Sequence, residues 1–185
     1  YYNDKKLLIW DFRTYDETEV SASFSPTTEI REHTAGIRGL AFHPTKENLL
    51  LSGGGTADKT IKLRRLGRKS VSLLFSYVTD SQVTNLIWGI SNPTRFLASF
   101  GFSGNKLVLF QIHKRIPSVL AEYNGHTDRI LFLAAGPRGR VVSSGADEAL
   151  RFWNIFKFRS PLEERALLEK RKIRRERWET RQNLR

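Results

Sequence analysis

Three residues near the C-terminal end invite a catalytic reading. Ser143, His126 and Asp147 are the types from which a hydroxyl nucleophile, its general base and an orienting carboxylate are assembled. Nearer the middle, Gly53-Gly54-Gly55-Thr56-Ala57-Asp58-Lys59-Thr60 carries the glycines, Lys and Thr of a phosphate-cradling loop. The loop fails on its surroundings. Asp58 puts a negative charge where the Gly before the Lys is required, and Thr60–Leu63 reads as a strand, so no helix N-terminus receives the anion. The glycines then read as a turn between two strands. The triad fails on its fourth neighbour. Trp153 stands six residues after Asp147, and such a quartet ties a turn into a blade: the Asp accepts from the imidazole and from turn amides, while the Ser and the indole N–H are satisfied against the ring. A packing device accounts for these residues better than hydrolysis.

The elements that must position this quartet are strands. From Gly125-His126 the chain runs through the apolar Ile130–Ala134, then Val141–Ser144, the Asp147 turn and Leu150-Arg151-Phe152-Trp153-Asn154. This is the pattern of a WD repeat, one blade of a β-propeller. Its ending recurs at Asp4–Asp11 with a Trp-Asp pair, at Asp58–Arg65 with Arg64 in the Trp place, and at Gly104–Gln111 with Phe110 there. The aligned positions 10, 64, 110 and 153 lie 54, 46 and 43 residues apart. The first spacing implies an insertion around Thr14–Thr27. Ile37–Phe42, Asn48–Ser52, Thr60–Leu63 and Val71–Tyr77 are expected as the strands of one blade. Val83–Trp88, Phe96–Phe100, Leu107–Gln111 and Ser118–Tyr123 are expected in the next, and Ile130–Ala134, Val141–Ser144 and Leu150–Ile155 in the last. His43-Pro44, Asn92-Pro93 and Gly136-Pro137 mark the turn after the first strand of each. The expected fold class is all-β: the C-terminal half of a seven-bladed propeller over residues 1–155, since a full ring needs about 300 residues at this period.

Composition agrees with a packed domain and narrows its chemistry. Apolar residues make up 39% and aromatic residues 11% of the 185-residue chain, enough for a core. There is no Cys, which excludes a thiol nucleophile, a disulfide and a cysteine zinc site, and the spacing of the four His suggests no metal. No cofactor is expected. No apolar run approaches the roughly 20 residues of a membrane span, and no signal-peptide pattern opens the chain; a soluble protein of nucleus and cytoplasm is expected. The absence of Met, even an initiator, suits a fragment. The net charge of +12 is uneven, because residues 156–185 hold 11 basic and 5 acidic residues, a net +6. There, Ser160-Pro161-Leu162-Glu163 reads as a capping box with Pro at the first helical position. A helix is expected over about 161–181, marginal because its apolar residues form no stripe and its i,i+4 charge pairs run in the weaker order.

Beyond the generic repeat, Asn3–Trp10, Leu51–Asp58, Ser81-Gln82-Val83-Thr84-Asn85-Leu86-Ile87-Trp88 and Asp147–Asn154 together resemble the Fizzy and Fizzy-related activators of the anaphase-promoting complex. The resemblance covers Asn3 to about Phe156, and its Gly-Gly-Gly-Thr-Ala-Asp run is far more specific than a WD repeat. It implies a propeller that holds substrates and inhibitors of a ubiquitin ligase and does no chemistry. It also implies a receptor for Lys-Glu-Asn degrons at Asn3, Thr56, Gln82 and Arg129, and a destruction-box contact at Glu148. The terminal Leu184-Arg185 is similar to the family's Ile-Arg ending, which docks on a helical-repeat ligase subunit. Repeat topology supports one part independently: turns between second and third strands, and loops leading into first strands, share the upper face of a propeller, and all five degron positions fall in those two classes. Departures are also visible. Lys5 stands where the family has a second Asn, Arg64 and Phe110 replace Trp, and no Gly-His opens the repeat before Gln82. Such divergence suits a meiosis-specific member. The alternative is a WD-repeat scaffold that binds an acidic protein partner or RNA and has no link to degradation; the basic turn Arg64-Arg65-Leu66-Gly67-Arg68-Lys69 lacks the aromatics that stack on bases. For the tail, a solvated charge run stands beside the docking reading.

Overall fold

The computed structural model describes residues 5–10, 25–67 and 70–156. Thirteen strands are described, in four antiparallel sheets. β1 (Leu7–Ile9) pairs with β2 (Thr28–Ile30). β3 (Ile37–Phe42), β4 (Leu49–Gly54), β5 (Thr60–Leu66) and β6 (Val71–Val78) form a four-stranded meander. β7 (Val83–Trp88), β8 (Arg95–Phe100), β9 (Lys106–His113) and β10 (Ile116–Asn124) form the next, and β11 (Ile130–Ala135), β12 (Arg140–Gly145) and β13 (Leu150–Asn154) the last. These are successive propeller blades.

The blades stack because their middle strands are apolar on both faces. In β8, Phe96, Ala98 and Phe100 pack toward the preceding blade, and Leu97 toward the following one. In β9, Val108 and Phe110 face back while Leu107 and Leu109 face forward. β4 does the same, with Leu50 toward the β1–β2 pair and Leu49 and Leu51 toward the next sheet. Side chains alternate across a strand, so double burial writes a continuous apolar run into the sequence.

Two local devices repeat. Each first strand carries one extra residue, between Ile37 and Gly39, Val83 and Asn85, and Ile130 and Phe132; such a bulge bends the strand and re-aims the side chains beyond it. Each turn into a third strand ends on a left-handed residue: Lys5 (φ 58°), Lys59 (49°), Asn105 (38°) and Glu148 (58°).

The structure adjusts several boundaries. Gly53 and Gly54 are the end of β4, not part of a glycine turn. A Cβ on Gly53 would lie 2.4 Å from a methyl of Val83 in the next blade, so this glycine serves close strand approach. β13 stops at Asn154, whereas Ile155 and Phe156 are buried against β8, β9, β11 and β12, and the Phe156 amide donates to the Gly139 carbonyl at 3.0 Å. Phe156 therefore packs with the blades rather than opening the tail. The expected helix over 161–181 lies outside the described residues.

Candidate functional site

The triad-like quartet of the last blade is a closed hydrogen-bond set. His126 Nδ1 faces Asp147 Oδ1 at 2.8 Å, and His126 Nε2 faces Ser143 Oγ at 2.7 Å. Trp153 Nε1 donates to the same Ser143 oxygen at 2.7 Å, and the amides of Thr127 and Ala149 donate to Asp147. Ser143 is only 1% exposed. A hydroxyl held by an indole and shut away from solvent cannot reach an acyl carbon. The hydrogen bond from His126 outweighs burial and holds the Asp147 carboxyl below the usual carboxylate range.

A second such set, centred on His33, is one that sequence reasoning missed. His33 Nδ1 pairs with Asp58, and its Nε2 faces Ser52 Oγ at 2.8 Å. Arg64 takes the indole's place and donates through Nη1 to Ser52 Oγ. The guanidinium is fully buried, and Glu32 accepts from it at 2.9 Å (Nη2) and 3.2 Å (Nε). Burial pushes the His33 imidazole below its ordinary value against the pull of Asp58. Burial would raise the Asp58 carboxyl, but hydrogen bonds from His33 and Thr60 hold it low. The signal was present: His33 precedes Ile37, the half-buried first residue of β3, by four residues, as His126 precedes Ile130. Arg64 in the Trp place concealed it.

The blade between them has dropped the set as a whole. By register its positions are Thr79, Ala98, Gly104 and Phe110 in place of His, Ser, Asp and Trp. The glycines that seat the carboxylates change too. A Cβ on Gly54 would lie 1.6 Å from an Asp58 oxygen, and one on Gly145 would lie 2.3 Å from an Asp147 oxygen. The equivalent residue here is Phe100, buried at 4% exposure, and Gly104 in the Asp position now makes room for it: a Cβ there would be 2.9 Å from Phe100 Cβ. Phe110 stacks on Phe96 at 4.9 Å instead of donating an N–H.

The candidate binding residues occupy the loops at one end of these sheets. Thr56 Oγ1 donates to Gln82 Oε1 at 2.7 Å, joining one blade's turn to the loop leading into the next. Thr56 is exposed and Gln82 is buried. The Gly101 amide donates to the Gln82 carbonyl at 3.1 Å. One blade further on, Asn105 Nδ2 donates to the Thr127 carbonyl at 3.2 Å, and the Ala146 amide to the Arg129 carbonyl at 2.9 Å. Arg129 and Glu148 are exposed. Arg129 holds its guanidinium 5.6 Å from the centroid of the Phe102 ring. The loops of Thr56, Gln82, Arg129 and Glu148 are thus linked in sequence, though among the described residues no bond joins the side chains of Gln82, Arg129 and Glu148 to one another. Asn3, Leu184 and Arg185 lie outside the described residues. Lys5 is exposed at the left-handed turn position.

Chemically this rim is rich in donors. Thr56 occupies the Gln82 carbonyl oxygen, which leaves the amide NH2 as that side chain's remaining group. With the Arg129 guanidinium it suits a carboxylate or an amide oxygen. In the sequence, Asn105 stands only as part of a repeat ending and Phe102 is given no role, because the repeat fixes their positions but not their contacts.

Known proteins agree with this architecture. The family described as WD domain, G-beta repeat matches residues 24–64 and 117–154. The chain is similar to "Cell division cycle 20.5, cofactor of APC complex" from Arabidopsis thaliana, with 40% identity over 159 residues, covering 83% of this chain and 33% of that protein. It is similar to "Protein FIZZY-RELATED 3" of the same plant, with 35% identity over 169 residues, covering 89% of this chain and 32% of the relative. "B-type cell cycle switch protein ccs52B" of Medicago truncatula is 38% identical over 157 residues, covering 83% of this chain and 29% of its own length. Among solved structures, a chain in "Crystal Structure of Mitotic Checkpoint Complex" superposes with a TM-score of 0.73 at 28% identity, over 84% of this chain and 44% of that one. The chain spans about a third of the length of the curated relatives it matches. It belongs to the Fizzy and Fizzy-related family of WD-repeat proteins.

Proposed function

We propose that this chain is the substrate-holding part of an activator subunit of the anaphase-promoting complex ubiquitin ligase, binding degrons on its upper rim and performing no bond chemistry. The observation that carries this reading is the Thr56–Gln82 hydrogen bond, which fixes the Gln82 amide between two blades on the rim that also bears Arg129. Loops anchored on rigid sheets are where a short peptide is recognised. Donors from Gln82 and Arg129 suit the acid and amide of a Lys-Glu-Asn segment, with Thr56, and Asn3 by family resemblance, completing the receptor. Glu148, exposed on the last blade, suits the Arg of a destruction box. The relative named as a cofactor of the APC complex and the likeness to a chain of the mitotic checkpoint complex support ligase and inhibitor partners. The terminal Leu184-Arg185 is proposed to dock on a helical-repeat subunit of that ligase.

Titration of labelled degron peptides tests the reading. Arg129→Glu and Gln82→Ala should each weaken a Lys-Glu-Asn peptide by about 1–3 kcal/mol, and Glu148→Lys should act on destruction-box peptides instead. Binding unchanged in all three variants would remove the site. Deleting Leu184-Arg185 should reduce ligase binding and leave peptide binding intact; unchanged ligase binding would make the tail a solvated charge run.

A further inference from the structure

The rim contains the same pair twice. Thr56 lies two residues before Asp58, and Phe102 lies two residues before Gly104, the position equivalent to Asp58 in the next blade. Gln82 lies one residue before Val83 and Arg129 one before Ile130, the fully buried openings of β7 and β11. Thr56 touches Gln82, and Phe102 touches Arg129. Each contact therefore bridges a turn to the loop of the following blade at one repeat-equivalent place. In the first pair the turn residue fixes an amide; in the second it meets a cation.

Phe102 is an unusual occupant. It is 51% exposed, so its ring is withheld from the core, and its backbone sits at φ 47°. A bulky side chain in the left-handed region is strained, and strain that the surrounding structure maintains collects at sites with a role. Asn105 of the same turn is also left-handed, and its amide is bonded to the Thr127 carbonyl, two residues before Arg129. The turn is thereby fastened to the loop that carries the guanidinium. Among the described residues, Arg129 makes no ion pair that would otherwise hold its side chain.

We propose that Phe102 is a positioning residue of the peptide receptor: its ring holds the Arg129 guanidinium flat, with the N–H edge presented to an acidic side chain of the bound peptide. An aromatic face within about 6 Å attracts a guanidinium and leaves the in-plane N–H groups free. Pre-ordering that fork reduces the entropy lost when it grips a carboxylate. The inference rests on the degron-binding reading and deepens it, because it gives the receptor a means of preferring Glu over Gln at the middle position.

The experiment compares Lys-Glu-Asn and Lys-Gln-Asn peptides on the whole protein. Phe102→Ala should weaken the Glu peptide roughly three- to fivefold and barely change the Gln peptide. Phe102→Trp should restore the preference, while Phe102→Leu, which fills space without an aromatic face, should not. In an Arg129→Gln background, Phe102→Ala should have no further effect. Equal weakening of both peptides, or a loss that persists without Arg129, overturns the proposal while leaving the degron reading in place. If neither peptide binds the wild-type protein, the degron reading fails, and the positioning claim is then decided by nitrogen relaxation of the Arg129 side chain. Faster guanidinium motion in Phe102→Ala supports it; unchanged motion overturns it.

Discussion

The three larger blades of this chain show that a buried polar set is kept, replaced as a whole, or changed at one member with a new partner to compensate. Removing one partner from such a set strands another, whereas replacing all of them with apolar groups need cost little. The last blade keeps His126, Ser143, Asp147 and Trp153, while the middle one exchanges the set for Thr79, Ala98, Gly104 and Phe110 and fills the carboxylate seat with Phe100. The β3–β6 blade exchanges only the Trp, and the buried Arg64 then requires Glu32. That requirement is asymmetric. The Glu32 side chain is 44% exposed and can turn to water if Arg64 is lost, but Arg64 has no such escape. Glu32→Leu should therefore cost about 3–5 kcal/mol, as breaking a buried pair does, and Arg64→Leu about 1–2 kcal/mol; urea unfolding of the two variants checks the order, and the reverse order would refute it. The same groups set the acid response. Burial holds His33 below 6.5, so the unfolded chain binds its proton more readily, and that stability is complete above pH 6.5 and is lost as pH falls below it. Asp58 and Asp147 are held below 3.8, so their contribution is complete above that value and is lost as pH falls toward their lower folded values. Melting temperatures followed from about pH 8 to about pH 3 should fall in two stages, with the His33 ring resonances titrating below 6.5.

At the scale of strands, the double burial of β4, β8 and β9 explains why their sequences read as strands at once, and the same physics explains the misreading of Gly53 and Gly54. A glycine before a polar turn looks like part of that turn, yet here it admits the neighbouring blade's Val83 and its own blade's Asp58. Gly53→Ala should cost about 1–3 kcal/mol through overpacking, and Val83→Ala in the same chain should recover part of it, a coupling that a double-mutant cycle reads directly. Additive costs would show that the two residues do not share that space. Strand ends were less legible than strand middles. β5 runs on through Arg64 and Arg65 to Leu66, and β10 from Ile116 to Asn124, because ladder hydrogen bonds to β4, β6 and β9 extend them where no apolar alternation continues. The candidate site divides in the same way. Thr56, Gln82, Arg129 and Glu148 came from a family resemblance and from loop class, whereas the Phe102–Arg129 contact depends on a left-handed turn that no composition signals.

Across the whole molecule, each blade covers the face of the next, and among the described residues the last sheet has one covered face. Ile130, Val141 and Trp153 pack toward the preceding blade. On the other face, register sets Phe132, Ser144 and Leu150 in one cross-strand row and Val142 and Phe152 in the next, and Phe132, Leu150 and Phe152 are 69%, 68% and 78% exposed. Among the described residues no strand pairs with the outer edge of β13. An apolar row beside an open edge favours association, through side-chain burial and through backbone pairing. The 185-residue chain produced on its own should therefore self-associate with rising concentration in sedimentation experiments. Phe132→Thr with Phe152→Thr keeps β-forming residues while removing the apolar row, and should shift the chain toward monomer. Since both residues are already solvated in the single chain, the double variant should unfold at nearly the wild-type denaturant concentration when both are measured dilute. A wild-type chain that stays monomeric at high concentration would mean that this face is covered within the molecule; a double variant that associates as strongly as wild type would move the contact to the edge of β13.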